Sequence, residues 1–145
     1  MNRITRSSKV YIDTNIFISL FELVPYFYET AKEVFELLHF LECRILTNEI
    51  TIAECIYKPA RQDDFAMLQT YQELFASDTN IGLLPLNSEL ANRAASHGGK
   101  LGLKLIDAIH FTSAIEAGCD FFITSDKAFT STPEIEVILI KPAQN

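Results

Sequence analysis

Short apolar runs of strand length alternate with amphipathic helical runs along the chain, and no Asn-Gly or Asp-Gly dipeptide joins two of the strand-like runs into a hairpin. Strands that are never linked by a tight turn must be connected by crossovers, and crossovers through helices produce a parallel sheet covered on both faces. Strands are predicted at 9–12, 44–47, 81–84, 121–124 and 137–140. Between them, a helical run at 16–21 is followed by Pro25. A second run over 26–41 carries Phe27, Ala31, Val34, Phe35, Leu38 and Leu41 at three- and four-residue steps. Asn48 is placed to cap a third helix through Ile56, Pro59 to separate it from a fourth over 63–76, and Asn87 to cap a fifth over 88–96 that Gly98 and Gly99 stop. A last helix is predicted over 104–118, with Gly118 suited to the position after its end. The pattern predicts one α/β domain over residues 1–145, a three-layer α/β/α sandwich around a mostly parallel five-stranded sheet.

Composition supports a packed domain. Hydrophobic residues make up 48% of the 145 and charged residues 21%, far from the signature of disorder. Cys43, Cys55 and Cys119 are odd in number and widely spaced, without zinc-site spacing, and read as buried thiols in a reducing compartment. Residues 1–9 are polar and basic with no signal-peptide stretch, and Glu22 and Pro25 break the most apolar later segment, so a cytoplasmic setting without a membrane span is expected. The formal net charge of −7 weighs against a nucleic-acid partner. Against that, 93–106 contains Arg93, His97, Lys100 and Lys104 and no acid, which reads equally as a solvated basic helix end or a path for a polyanion.

The acids are placed by topology. In a parallel sheet the crevice outside the carboxyl ends of the strands collects residues distant in sequence. Asp13 follows the first strand, Asp126 lies two residues past the fourth, and Asp107 falls in the first turn of the helix leading into the fourth. Glu54 must reach the same edge from the second turn of its helix, and its apolar neighbours Ile52, Ala53, Cys55 and Ile56 make an unpaired carboxylate costly there. Singly, Asp13 or Asp126 reads equally well as a helix cap, and Asp107 as a dipole partner. Together they repel: two carboxylates about 5 Å apart cost about 3 kcal/mol at an effective dielectric of about 20. Protons or hard divalent cations must relieve this, and an all-oxygen set suits Mg²⁺ or Mn²⁺, which support phosphodiester cleavage.

The runs Val10-Tyr11-Ile12-Asp13-Thr14-Asn15, Thr51-Ile52-Ala53-Glu54, Leu105-Ile106-Asp107-Ala108-Ile109-His110 and Asp120-Phe121-Phe122-Ile123-Thr124-Ser125-Asp126 together resemble the four acidic motifs of the PIN domain, and specifically the VapC-type ribonuclease toxins. The resemblance implies an endoribonuclease acting on single-stranded or looped RNA, with Asp13, Glu54, Asp107 and Asp126 as catalytic and metal-binding residues and Mg²⁺ (or Mn²⁺) as cofactor. It also implies that Asn15 and Thr124 support the site, that a cognate antitoxin binds the chain, and that the chain forms a homodimer. Ala128 departs from it, standing where many relatives carry a further acid. Arg93, Lys100 and Lys104 are proposed to contact RNA phosphates. His110, alone on an apolar helix, reads as a packed residue outside the site. Phe17, Phe21, Tyr26, Phe27 and Tyr28 read as core or interface, with Phe17, Phe21 and Phe27 as a groove for a partner's helix. An RNA-processing PIN nuclease without an antitoxin and a non-catalytic PIN module that binds RNA or protein are the competing assignments.

Overall fold

Strand β1 (Lys9–Ile12) sends Val10 and Ile12 to one face and Tyr11 to the other, and that alternation organises the whole molecule. In the computed structural model, residues 3–76 and 79–143 are described. After β1 come α1 (Thr14–Phe21), α2 (Tyr28–Phe40), β2 (Arg44–Asn48), α3 (Ile50–Arg61), α4 (Phe65–Leu74) and β3 (Ile81–Leu84). Then follow α5 (Ser88–Leu101), α6 (Leu105–Glu116), β4 (Phe121–Thr124) and β5 (Glu136–Leu139). The sheet runs in the order β3-β2-β1-β4-β5, and every strand pair is parallel.

Val10, Ile12, Phe121 and Ile123 pack with Ile16, Phe17, Val34, Leu38, Cys55, Tyr71 and Phe75 of α1 to α4 and the turn after α4. On the opposite face Tyr11, Leu46 and Phe122 meet Phe111 and Ala114 of α6, closed by Phe129 and Ile135. Leu90 and Ala94 of α5 pack on Ala108 and Ile109 of α6. These are the three layers expected, with α5 outermost against α6. Because β2 and β4 lie on opposite sides of β1, the chain changes direction there, and the carboxyl ends of β1 and β4 form the switch point at which open α/β sheets bind their ligands.

Several boundaries differ from the sequence expectation, each for a local reason. Pro59 does not separate two helices. It lies inside the last turn of α3 with its ring buried, and its carbonyl accepts the Asp64 N–H at 2.9 Å. A proline near the end of a helix forfeits one intrahelical bond without stopping the chain. The Gly98-Gly99 pair does not stop α5 either. A Cβ at Gly98 would lie 2.2 Å from that of Ala108, so this glycine lets α5 approach α6, and the helix ends at Gly102, with φ of 71°. Asn48 is the last residue of β2, and its Oδ1 accepts the Ile50 N–H at 2.9 Å from one residue before the cap position. Strand β5 starts one residue earlier than predicted, and α2 two residues later, after Tyr26 adopts a positive φ of 69°.

Two side-chain assignments also change. Cys55 and Cys119 are buried, but Cys43 is only partly so. Phe17 is fully buried in the core and cannot line a partner groove, whereas Tyr26 is 57% exposed; Phe21, Phe27 and Tyr28 are partly buried. No described helix is long and apolar enough to cross a membrane.

Candidate active site

Asp13 stands where β1 ends and α1 begins, 4% exposed, with both carboxylate oxygens held. Oδ1 accepts the Thr14 N–H at 2.9 Å and Oδ2 accepts the Thr124 hydroxyl at 2.7 Å. The cap role and the site role therefore coexist in one side chain. Burial pushes its carboxyl above the ordinary range; the charge of Glu54 acts in the same direction, against the opposing effects of His110, Thr124 and the Thr14 N–H. Thr124, fully buried at the end of β4, also accepts the Asp126 N–H at 3.0 Å, so one hydroxyl ties the two strand-end acids together. Asp126 turns its Oδ1 to the Ala128 N–H at 2.9 Å.

Asp107, in the first turn of α6, is half-buried. Its carboxyl is raised by burial first, then by the charges of Asp126, Asp13 and Glu54, with His110 opposing. Asp107 thus feels the charge of each of the other three predicted acids, and Asp13 that of Glu54. Glu54 differs from the expectation of an enclosed carboxylate: its side chain is 35% exposed, at the rim. Its Oε1 accepts the Thr14 hydroxyl at 2.7 Å and lies 2.6 Å from Nε2 of His110. Burial pushes this carboxyl up, but the hydrogen bonds from His110 and Thr14 outweigh it and lower it below the usual value.

His110, outside the site in the sequence reading, is at its centre. It is 1% exposed, with Nε2 on Glu54 and 3.8 Å from Asp13 Oδ1, and Nδ1 2.7 Å from the Tyr11 hydroxyl. The only signal in the sequence was its spacing, three residues past Asp107. Thr14 and Thr51 were likewise missed: Thr14 Oγ1 also lies 3.1 Å from Thr51 Oγ1, which bonds Thr47 at 2.7 Å. Asn15 is exposed, and among the described residues its side chain makes no hydrogen bond. Arg93 is not brought to the acids. It pairs with Glu116, nine residues beyond Asp107 and so roughly 13 Å along α6 at about 1.5 Å per residue, and lies 3.8 Å from Glu89. Lys100 and Lys104 are exposed at the α5–α6 junction, on the same end of α6 as Asp107.

A family model for the PIN domain matches residues 10–135. The chain belongs to the PIN domain family. Among solved structures, this PIN fold is similar to a chain of the toxin-antitoxin complex from Klebsiella pneumoniae, with a TM-score of 0.66 and 22% identity over 88% of this chain and 95% of that one. It is also similar to a chain in the crystal structure of VapBC2 from Rickettsia felis bound to a DNA fragment from their promoter, with a TM-score of 0.68 and 17% identity over 90% of this chain and 97% of that one. Comparison with curated proteins gave no match.

In kind, the donors of this PIN site fit a hard divalent cation: carboxylates from the ends of β1 and β4 and from α3 and α6 that repel one another. In position they are not yet closed around one. Among the described residues no three Asp, Glu, His or Cys side chains stand as a group able to hold an ion, and Glu54 Oε1 is engaged by Thr14 and His110.

Proposed function

We propose that this PIN protein is a Mg²⁺- or Mn²⁺-dependent endoribonuclease that hydrolyses single-stranded or looped RNA in the cytoplasm, as the toxin of a toxin–antitoxin pair. The observation that carries this reading is the hydrogen-bond network joining acids from separate elements, with the Thr124 hydroxyl on both Asp13 and the Asp126 N–H and Thr14 between Asp13 and Glu54, beside an Asp107 carboxyl that the charges of Asp126, Asp13 and Glu54 all push up. A module that only bound RNA would gain nothing from an acidic pocket, since like charges repel the phosphate backbone. Asp13, Asp107 and Asp126 would hold the cation, with Glu54 beside them. When bound, such a cation supplies an activated water and stabilises the leaving oxygen.

The chain's own residues set the geometry. Thr124 and the Thr14 N–H fix both oxygens of Asp13, so this carboxylate is presented in one orientation. Asp107 and Asp126 are partly open, which leaves room for a substrate phosphate. Lys100 and Lys104 lie at the Asp107 end of α6 and would meet the RNA strand there. The partner in this reading is an antitoxin whose Arg or Lys pairs with the acids, a fork that both blocks the crevice and replaces the cation's charge. The likeness in fold to chains from two toxin–antitoxin complexes supports it. A homodimer is part of the same proposal.

Inducing the chain in cells that lack a cognate partner, with sequencing of RNA ends, tests the reading. Growth arrest with new, discrete cut sites is expected for the wild type, and neither for Asp13→Asn. Discrete cuts without arrest would favour an RNA-processing nuclease. Arrest that persists in Asp13→Asn without cuts would favour a non-catalytic module.

A further inference from the structure

We infer that His110 is a positioning residue for Glu54: its imidazole, set in the Nε2–H form by Tyr11, holds the Glu54 carboxylate at the acidic edge and does not itself ligate an ion. The hydrogen-bond chain stands on its own; what Glu54 is held for rests on the ribonuclease reading.

The chain begins in the backbone. At the end of β2 the Asn48 N–H donates to the Tyr11 hydroxyl oxygen at 3.1 Å. With that lone pair occupied, the Tyr11 proton is directed at Nδ1 of His110, 2.7 Å away. A neutral imidazole that accepts at Nδ1 carries its proton on Nε2. Nε2 is 2.6 Å from Glu54 Oε1, so the proton lies between the ring and a carboxylate that can only accept.

Every member of the chain is anchored. Asn48 Nδ2 donates to Ser113 Oγ on α6 at 3.0 Å and to the Pro85 carbonyl at 3.3 Å, and its Oδ1 accepts from Ile50. The Tyr11 ring stacks on Phe122 at 5.1 Å and meets the His110 ring edge-on at 5.8 Å. The ring's separation from Asp13 Oδ1, 3.8 Å, is too long for a hydrogen bond. His110 therefore serves one acid. The consequence for Glu54 is specific: its side chain is at the rim and would be free to turn to solvent, and Thr14 and His110 both grip Oε1, leaving Oε2 without a hydrogen bond among the described residues. Hydrogen-bonded partners of this kind change metal affinity or activity by about 10–100-fold when removed.

The test uses the full chain. Long-range ¹H–¹⁵N NMR is expected to show His110 as the Nε2–H tautomer, unchanged when Mg²⁺ is added, with that preference lost in Tyr11→Phe. Mn²⁺ affinity, read by paramagnetic resonance of the free ion, is expected to fall about 10–100-fold in His110→Met, which keeps bulk but has no donor. His110→Gln, whose amide can still donate to Glu54, is expected to restore most of that loss. An Nδ1–H tautomer, loss of the Nε2 proton on adding Mg²⁺, or a His110→Met protein that binds Mn²⁺ as the wild type does would overturn the inference. A wild type that binds no Mn²⁺ would instead sink the metal reading, and the tautomer would still decide whether His110 holds Glu54.

Discussion

Asp107 and Glu54 respond to the same crevice in opposite ways. Burial and neighbouring charges raise Asp107, so the folded protein binds that proton more tightly than the unfolded chain, and stability falls as pH rises from the ordinary carboxyl value through the raised one. Glu54 is lowered, so its contribution is complete above the ordinary value and is lost as pH falls through the lowered one. Among the described residues the Asp107 carboxylate accepts no hydrogen bond, so Asp107→Asn relieves repulsion and gives up only the favourable field of the α6 N-terminus, about 0.3–1 kcal/mol. Its melting temperature at neutral pH in metal-free buffer should exceed the wild type's by a few degrees, and the gap should close below about pH 4. A lower melting temperature at neutral pH would assign Asp107 a stabilising partner. The four acids were legible in the sequence because each sits at a strand end or an early helical turn. His110, Thr14 and Thr51 were not, because hydrogen-bond partners from different elements leave no periodic trace.

At the scale of elements, the junction of α5 and α6 shows what a motif hides. A glycine pair reads as a helix stop, yet Gly98 is buried within α5 and Gly102 ends it. Only the facing Ala108, ten residues on, explains Gly98. Calorimetry of Gly98→Ala should therefore show destabilisation by about 1–3 kcal/mol, the usual cost of an overpacked contact, although alanine is the better helix former. Adding Ala108→Gly should recover part of it, and no loss in Gly98→Ala would mean the helices can part freely. Because α6 carries both Asp107 and His110, splaying it should also disturb the crevice. Pro59 teaches the same lesson, since only its place in the final turn decides whether a proline ends a helix.

For the whole molecule, the strand alternation predicted the parallel sheet and its layers, while the order of the strands could not be read from local pattern. That order places the reversal between β1 and β4, which is why Asp13 and Asp126 share one crevice and one threonine. The position of Arg93 is hidden in the same way: sequence proximity to Lys100 did not reveal that α5 runs antiparallel to α6 and delivers Arg93 to Glu116 at the far end. In the proposed ribonuclease, the acidic edge works only when loaded with a divalent cation. The deciding experiment is cleavage of a single-stranded RNA by the purified protein in Mg²⁺ or Mn²⁺, in excess EDTA, and by folded Asp107→Asn. Cleavage should appear only in the wild type with metal, and undiminished cutting in EDTA or by the variant would contradict it.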